Sequence, residues 1–237
     1  MATKQQSTEP EAKRGLLARP LEALVFLLPL ILFYELMCLT RHNDRVIAFD
    51  LTRRFFELFG HVGIWAPGLG AIAILIATHI VSGERWSVRW KRVGLMYVEA
   101  LVLAVPLLAL NWAIPLTGQT GPAPKMLDRI AMGVGAGIYE ELVFRLVLIS
   151  VFVMVGVDLL RQNHTWVALG AVLFSAFVFA AHHHPPIGVE PFSPMPFLFR
   201  CAAGVYLAII FWYRGYGPAA GCHAAYNVAL ACLNAGG

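Results

Sequence analysis

Apolar residues along this chain fall into seven long runs that are separated by short polar or Gly/Pro-rich segments. The runs cover residues 21–40, 62–81, 93–116, 127–160, 166–183, 197–213 and 218–233. Most of them approach or exceed the roughly 20 residues that an α-helix needs to cross the hydrocarbon core of a bilayer. We therefore predict an all-α fold, a polytopic transmembrane helical bundle of seven to eight spans around an internal polar cavity.

The composition agrees with a protein embedded in the lipid bilayer. The chain is 59% hydrophobic and 14% charged, with a mean hydropathy of +0.68, whereas a soluble domain is closer to half apolar and one quarter charged. Basic residues account for the net charge of +4, but they lie beside apolar runs, where such residues set membrane topology. This pattern argues against a nucleic-acid partner. The four cysteines show no CxxC pairing and are predicted to be small core residues.

The polar segments divide the chain into three parts. Residues 1–20 are predicted to be a polar cytoplasmic tail, and residues 21–126 form the amino-terminal spans, with an interfacial amphipathic segment near 45–60. Residues 127–237 form a third part, which contains most of the candidate chemistry. The distribution of Lys and Arg places the amino terminus in the cytoplasm, although the arginines of 41–54 oppose this orientation.

The first candidate site is a group of charges in the middle of the fourth apolar run: Glu140, Glu141 and Arg145. A charged side chain at the bilayer centre costs about 2.5–3.5 kcal/mol even on the most lenient scale, so such groups usually have a function. Arg145 lies four residues after Glu141 and is expected to pair with it, while Glu140 faces elsewhere. An unpaired carboxylate in an apolar environment is a candidate general base. The structural alternative is a buried ion pair that holds helices together.

Two histidine motifs follow. Ser175, Phe179 and His183 recur at four-residue spacing and share one helix face. Among the three consecutive histidines at 182–184 we therefore select His183. His223 and Asn227 are also four residues apart and share a face. Interfacial histidines in the first case, and a structural interhelical hydrogen bond in the second, are the alternatives.

An antiparallel hairpin around residues 161–164 would place Glu140 and His183 at similar depth in the membrane. His223 fits less well, because a simple hairpin of the last two runs leaves it about 16 Å from the level of His183. The helices would have to tilt, or the Pro-rich segment 184–196 would have to turn inward, to close that distance.

The ordered motifs EExxxR, FxxxH and HxxxN resemble those of the CPBP family of intramembrane proteases. This family includes the type II CAAX prenyl endopeptidases and bacteriocin-processing or self-immunity proteins. The resemblance extends from about residue 127 to the carboxyl terminus and implies an all-helical bundle of about eight spans with the motifs around an internal cavity. For such a protein we expect a multi-pass location, in a bacterial cytoplasmic membrane.

The resemblance implies a hydrolytic site in which Glu140 activates the attacking water. His183 and His223 would orient that water or, together with Glu140, bind a metal ion, for which Zn²⁺ is the candidate. Asn227 would stabilise the oxyanion. Glu141 and its arginine partner would support this arrangement. A metal-free glutamate mechanism and Glu141 as the base both stay open.

The resemblance also implies a membrane-embedded or lipidated peptide substrate, either a prenylated CaaX carboxyl terminus or a leader peptide. Phe179 is a candidate contact for it. A non-catalytic membrane scaffold or self-immunity protein is the second class of function. An ion-coupled transporter is the third, with Glu35, His79, Glu99 and Glu140 as relays, but no inverted repeat supports it.

Overall fold

The computed structural model describes residues 19–41, 66–114, 125–188 and 190–233, which form helices and loops without a strand. Seven helices correspond one by one to the predicted apolar runs. Nearly all of the predicted tail and the whole amphipathic segment near 45–60 lie outside the described residues. The helices are α1 (Pro20–Arg41), α2 (Ala66–Ser82), α3 (Trp90–Ala113), α4 (Met126–Leu159), α5 (His164–Ala181), α6 (Pro194–Arg214) and α7 (Tyr216–Leu233).

The predicted seven to eight spans exceed the number found among the described residues. Within the described residues, five helices are long and apolar enough to cross a membrane: α1, α3, α4, α5 and α6. The apolar part of α2, Gly68–Ser82, is too short. Helix α7 is rich in Ala and Gly and carries polar residues, because neighbouring helices enclose most of its length and it has little need of large lipid-facing side chains.

Helix α3 shows how the bundle meets its surroundings. Its exposed face carries large apolar side chains, among them Leu95, Leu101 and Val105, which are 56%, 65% and 58% exposed. The opposite face carries the buried side chains of Val93, Met96, Ala100, Ala104 and Leu107. A helix that is apolar on both faces is typical of a bundle in lipid. With five helices of spanning length, the chain is an integral membrane protein.

Helix α7 packs at the centre of the bundle, against α1, α3, α4 and α6. Small residues allow the close approach. A Cβ atom on Gly137 of α4 would lie only 2.4 Å from the backbone nitrogen of Ala224. Membrane helices associate closely where glycine and alanine face each other. The two helices that carry Glu140 and His223 are therefore held in direct backbone contact.

A wide helical turn interrupts α4 directly after the two glutamates. Residues Leu142–Val147 are π-helical, and a second π-helical segment covers Met154–Leu159. Single π-turns occur often at functional sites. Within the first segment the Phe144 carbonyl accepts a hydrogen bond from the Ser175 hydroxyl of α5 at 2.7 Å. The wide turn thus joins α4 to the helix that carries the histidines.

Candidate active site

A cavity of about 690 Å³ lies between helices α3, α4, α5, α6 and α7. Its wall includes residues from each of the three sequence motifs, although these are up to 87 positions apart in the chain. The polar residues of the lining are Asn111, Glu140, His183, Glu190, Arg200, His223, Tyr226 and Asn227. The structure therefore contains the internal polar cavity that the apolar pattern and its polar interruptions predict.

Glu141 and Arg145 form the ion pair expected from their spacing. Arg145 Nη1 lies 3.0 Å from Glu141 Oε1, and both side chains are completely buried. Arg145 Nη2 also donates to the Gly204 carbonyl at 3.3 Å, and its guanidinium carbon lies 4.3 Å from the centre of the Phe179 ring. The Arg145 side chain therefore connects α4, α5 and α6.

Glu140 faces the cavity and is surrounded by imidazoles. His182 Nε2 lies 3.7 Å from Glu140 Oε1, and His223 Nε2 lies 3.9 Å from Glu140 Oε2. The other ring nitrogen of His223, Nδ1, lies 2.9 Å from Glu141 Oε1. The neighbouring glutamates thus have different positions. Glu141 is held by an arginine and a histidine, whereas Glu140 contributes to the cavity wall.

Each of these histidines directs one nitrogen toward a fixed acceptor. The Nδ1 atoms of His182 and His183 both bond to the Phe179 carbonyl, at 3.0 Å for His183. Because a carbonyl only accepts, Nδ1 carries the proton in both rings and Nε2 is the basic nitrogen. The Glu141 carboxylate fixes the same tautomer in His223. Burial lowers the pKa of the His183 imidazole to about 3, so this ring is neutral at physiological pH.

The structure brings together two of the three consecutive histidines, where the sequence pattern selected only His183. His182 still continues the helical hydrogen bonding, because its N–H donates to the Val178 carbonyl, so His182 and His183 lie three and four positions after Phe179 and share its helix face. The His182 and His183 rings lie side by side, with centroids 3.9 Å apart. His184 faces a different environment, because its Nδ1 donates to the Glu190 carbonyl and its ring packs against Phe192.

The donor atoms of Glu140, His182 and His183 all lie within 4.8 Å of one another, the one such group of potential metal ligands among the described residues. It differs from the expected set in containing His182 in place of His223. Two imidazoles and a carboxylate form a common ligand set of catalytic zinc. Zinc-bound histidines usually donate their second ring nitrogen to a carbonyl or carboxylate, as His182 and His183 do here. The residues therefore fit a zinc ion.

Asn227 lines the cavity one helical turn after His223. Its amide nitrogen donates to the Gly133 carbonyl of α4 at 3.2 Å, which fixes the side chain. An amide nitrogen has two hydrogens, so one donor is left for a second acceptor. The expected oxyanion role of Asn227 stays a prediction, and it would depend on that second hydrogen.

The large separation expected between His223 and His183 is not observed, because both rings pack against Phe179. The ring centroids of His183 and His223 lie 5.5 and 5.8 Å from that of Phe179. The Pro-rich segment also reaches the same cavity, because Glu190 and Pro196 line it. Phe179 itself is only 4% exposed and packs between the histidines and Arg145. Its predicted contact with substrate stays a prediction.

Sequence analysis missed two charged residues of the cavity wall, Glu190 and Arg200. Arg200 Nη2 donates to Glu190 Oε2 at 2.6 Å. Arg200 was recognisable as a lone cation within the apolar run 197–213, the same kind of signal that identified Arg145. Glu190 gave no such signal, because it lies in a loop, where a carboxylate is ordinary.

The isolated acidic residues of the other spans have structural partners. Glu35 accepts a hydrogen bond from the Tyr139 hydroxyl at 3.0 Å. Glu99 pairs with Arg214, whose Nη2 lies 2.9 Å from Glu99 Oε2. Both contacts join different helices, so they favour the structural interpretation of these residues over a chain of proton relays.

Comparison with known proteins agrees with the sequence motifs. Residues 122–229, a little under half of the chain, match the family model described as Type II CAAX prenyl endopeptidase Rce1-like. No curated protein and no solved structure gives a significant match. The resemblance drawn from the motifs is thereby confirmed for residues 122–229. The matched region contains every motif residue from Glu140 to Asn227.

Proposed function

We propose that this protein is an intramembrane endopeptidase that cleaves a peptide bond near the carboxyl terminus of a prenylated CaaX substrate. The observation that supports this function is the position of Glu140. Its carboxylate lies in the wall of a buried cavity and faces His182 and His223 at 3.7 and 3.9 Å, within the region that matches a family of CAAX proteases.

In the proposed reaction Glu140 accepts a proton from a water molecule in the cavity while the water oxygen attacks the scissile carbonyl. His223 is held by Glu141 through Nδ1, so its Nε2 orients the water. The remaining hydrogen of the Asn227 amide donates to the oxyanion. Glu140 then delivers its proton to the departing amine nitrogen, which completes hydrolysis. Preorganised donors of this kind are the largest contributors to many hydrolytic rate enhancements.

Zinc, when bound, would be held by His182, His183 and Glu140, and would supply a Lewis acid that acidifies water and polarises a carbonyl. Glu140 presents separate oxygens to the two sides of the site, Oε1 toward His182 and Oε2 toward His223. Oε2 is therefore available for proton transfer whether or not Oε1 is a ligand.

The test is cleavage of a fluorogenic S-farnesyl CaaX peptide by the purified protein in lipid nanodiscs, with products identified by mass spectrometry. Glu140→Gln should lower the rate by at least about 1,000-fold, because the base is lost while the shape is kept. Glu84→Gln, an exposed loop substitution of the same charge, is the matched control. Wild-type activity in Glu140→Gln would refute the mechanism.

A peptide carrying a leader sequence without a prenyl group serves as the alternative substrate. Preference for that peptide would contradict the CaaX assignment. If the wild-type protein cleaves neither peptide, the function is tested in host cells that express either the wild type or Glu140→Gln. The termini of their membrane proteins are then compared. Identical termini would favour a scaffold.

A further inference from the structure

The Glu190–Arg200 pair marks one region of the cavity as a site for a carboxylate. Glu190 Oε2 lies 2.6 Å from Arg200 Nη2, and both residues line the same cavity as Glu140. Arginine binds carboxylates preferentially through two parallel hydrogen bonds. We propose that Arg200 binds the free carboxyl terminus of the substrate and so restricts cleavage to peptide bonds close to a chain end. This inference rests on the proposed function.

The guanidinium of Arg200 has unused donors. It has five N–H groups, and its Nη1 atom is buried without a hydrogen-bond partner among the described residues. An unsatisfied buried donor on a charged group is costly. A terminal carboxylate that binds both Nη atoms would remove this cost, which the present contact with one oxygen of Glu190 does not.

The side-chain carboxylate of Glu190 pairs with Arg200 in the position proposed for the terminal carboxylate of the substrate. Its backbone is fixed beside the catalytic histidines, because its N–H donates to the His183 carbonyl at 3.1 Å and its carbonyl accepts from His184 at 3.0 Å. Its side chain is 35% exposed, so rotation about side-chain bonds can release Arg200 without movement of the backbone. The substrate carboxylate would then take the place of the glutamate.

The dimensions agree with a short carboxyl-terminal product. Three extended residues span about 10 Å. A sphere with the volume of the cavity is about 11 Å across. A cavity of this volume can therefore hold a tripeptide whose terminal carboxylate binds Arg200. A peptide that continued past Arg200 would have an amide in place of the carboxylate and would lose the charge-assisted pair.

The experiment measures binding, so that it does not depend on turnover. Two S-farnesyl CaaX peptides, one with a free carboxyl terminus and one with a carboxamide, are titrated against the Glu140→Gln protein in nanodiscs. The free acid should bind about 10- to 100-fold more tightly than the amide, the difference expected for hydrogen bonds to a charged group. Adding Arg200→Gln should abolish this difference, whereas adding Arg85→Gln, an exposed substitution of the same charge, should preserve it.

Equal affinity for the acid and the amide in the Glu140→Gln protein would overturn the inference and leave the proposed function intact. A preference that survives Arg200→Gln would also overturn it. A preference for the acid that depends on Arg200, in a wild-type protein that cleaves neither CaaX peptide, would support the carboxylate site and contradict the proposed CaaX cleavage.

Glu190→Gln provides the second variant. It removes the competing carboxylate, so the acid peptide should bind more tightly than it does to the protein with Glu190. Weaker binding would show that the intact ion pair is needed and would contradict displacement.

Discussion

Replacement of Gly137 by alanine tests the contact that holds the two halves of the candidate active site together. A Cβ atom at this position would lie 2.4 Å from the nitrogen, 2.6 Å from the Cα and 2.7 Å from the Cβ of Ala224. Ordinary contacts of this kind are 3.4–4 Å, so α4 and α7 would have to separate by about 1 Å. Two of the three atoms are backbone atoms, and no change of side-chain rotamer relieves the contact.

The expected loss of stability is about 3 kcal/mol, the upper part of the range for overpacked cores, because the backbone cannot yield easily. For a chain of this size that corresponds to a fall in melting temperature of roughly 6–12 °C. Activity should fall by roughly 100-fold, since displacement of a catalytic group by about 1 Å has effects of this size. The displaced group is His223, one residue before Ala224.

Intrinsic fluorescence during heating in nanodiscs measures stability, and cleavage of the CaaX peptide measures activity. Gly94→Ala is the matched control, because Gly94 is exposed on α3 and a Cβ there meets nothing within 4 Å. It should be neutral, or stabilising by up to about 1 kcal/mol through better helix propensity. If Gly137→Ala unfolds within about 2 °C of this control and retains full activity, the close packing of α4 on α7 is not what positions His223.

Two further predictions concern the groups around Glu140. Arg145→Met should lower the free energy of unfolding by about 3–5 kcal/mol, because Glu141 would lose its cation while completely buried; Arg85→Met, at an exposed site, should change it by less than about 0.5 kcal/mol. An equal effect of both variants in chemical unfolding would contradict the importance of the buried pair. If zinc is bound, His182→Ala should lower the zinc content measured by mass spectrometry, and His184→Ala should not. Full activity of protein that has been stripped of metal would instead favour the metal-free mechanism.

The sequence by itself determined the class of protein and identified most of the candidate site residues. The apolar runs placed all seven helices of the described residues, since a continuous apolar run satisfies its backbone hydrogen bonds in lipid by forming a helix. Charges inside those runs revealed Glu140, Glu141 and Arg145, because buried charge is too costly to be retained without a use. The four-residue spacing also predicted the Glu141–Arg145 pair, since neighbours on one helix face are fixed by local geometry.

Tertiary structure alone decided which of these groups face one another. His182 and His183 follow Phe179 by three and four positions and so share its helix face, but only the packing of α4 against this face places both rings beside Glu140. Arg200 and Glu190 meet across the cavity wall only because a loop folds back onto the histidines. The number of spans was overestimated for a similar reason. Hydropathy along the chain describes each helix separately, whereas the central position of α7 depends on the helices that surround it.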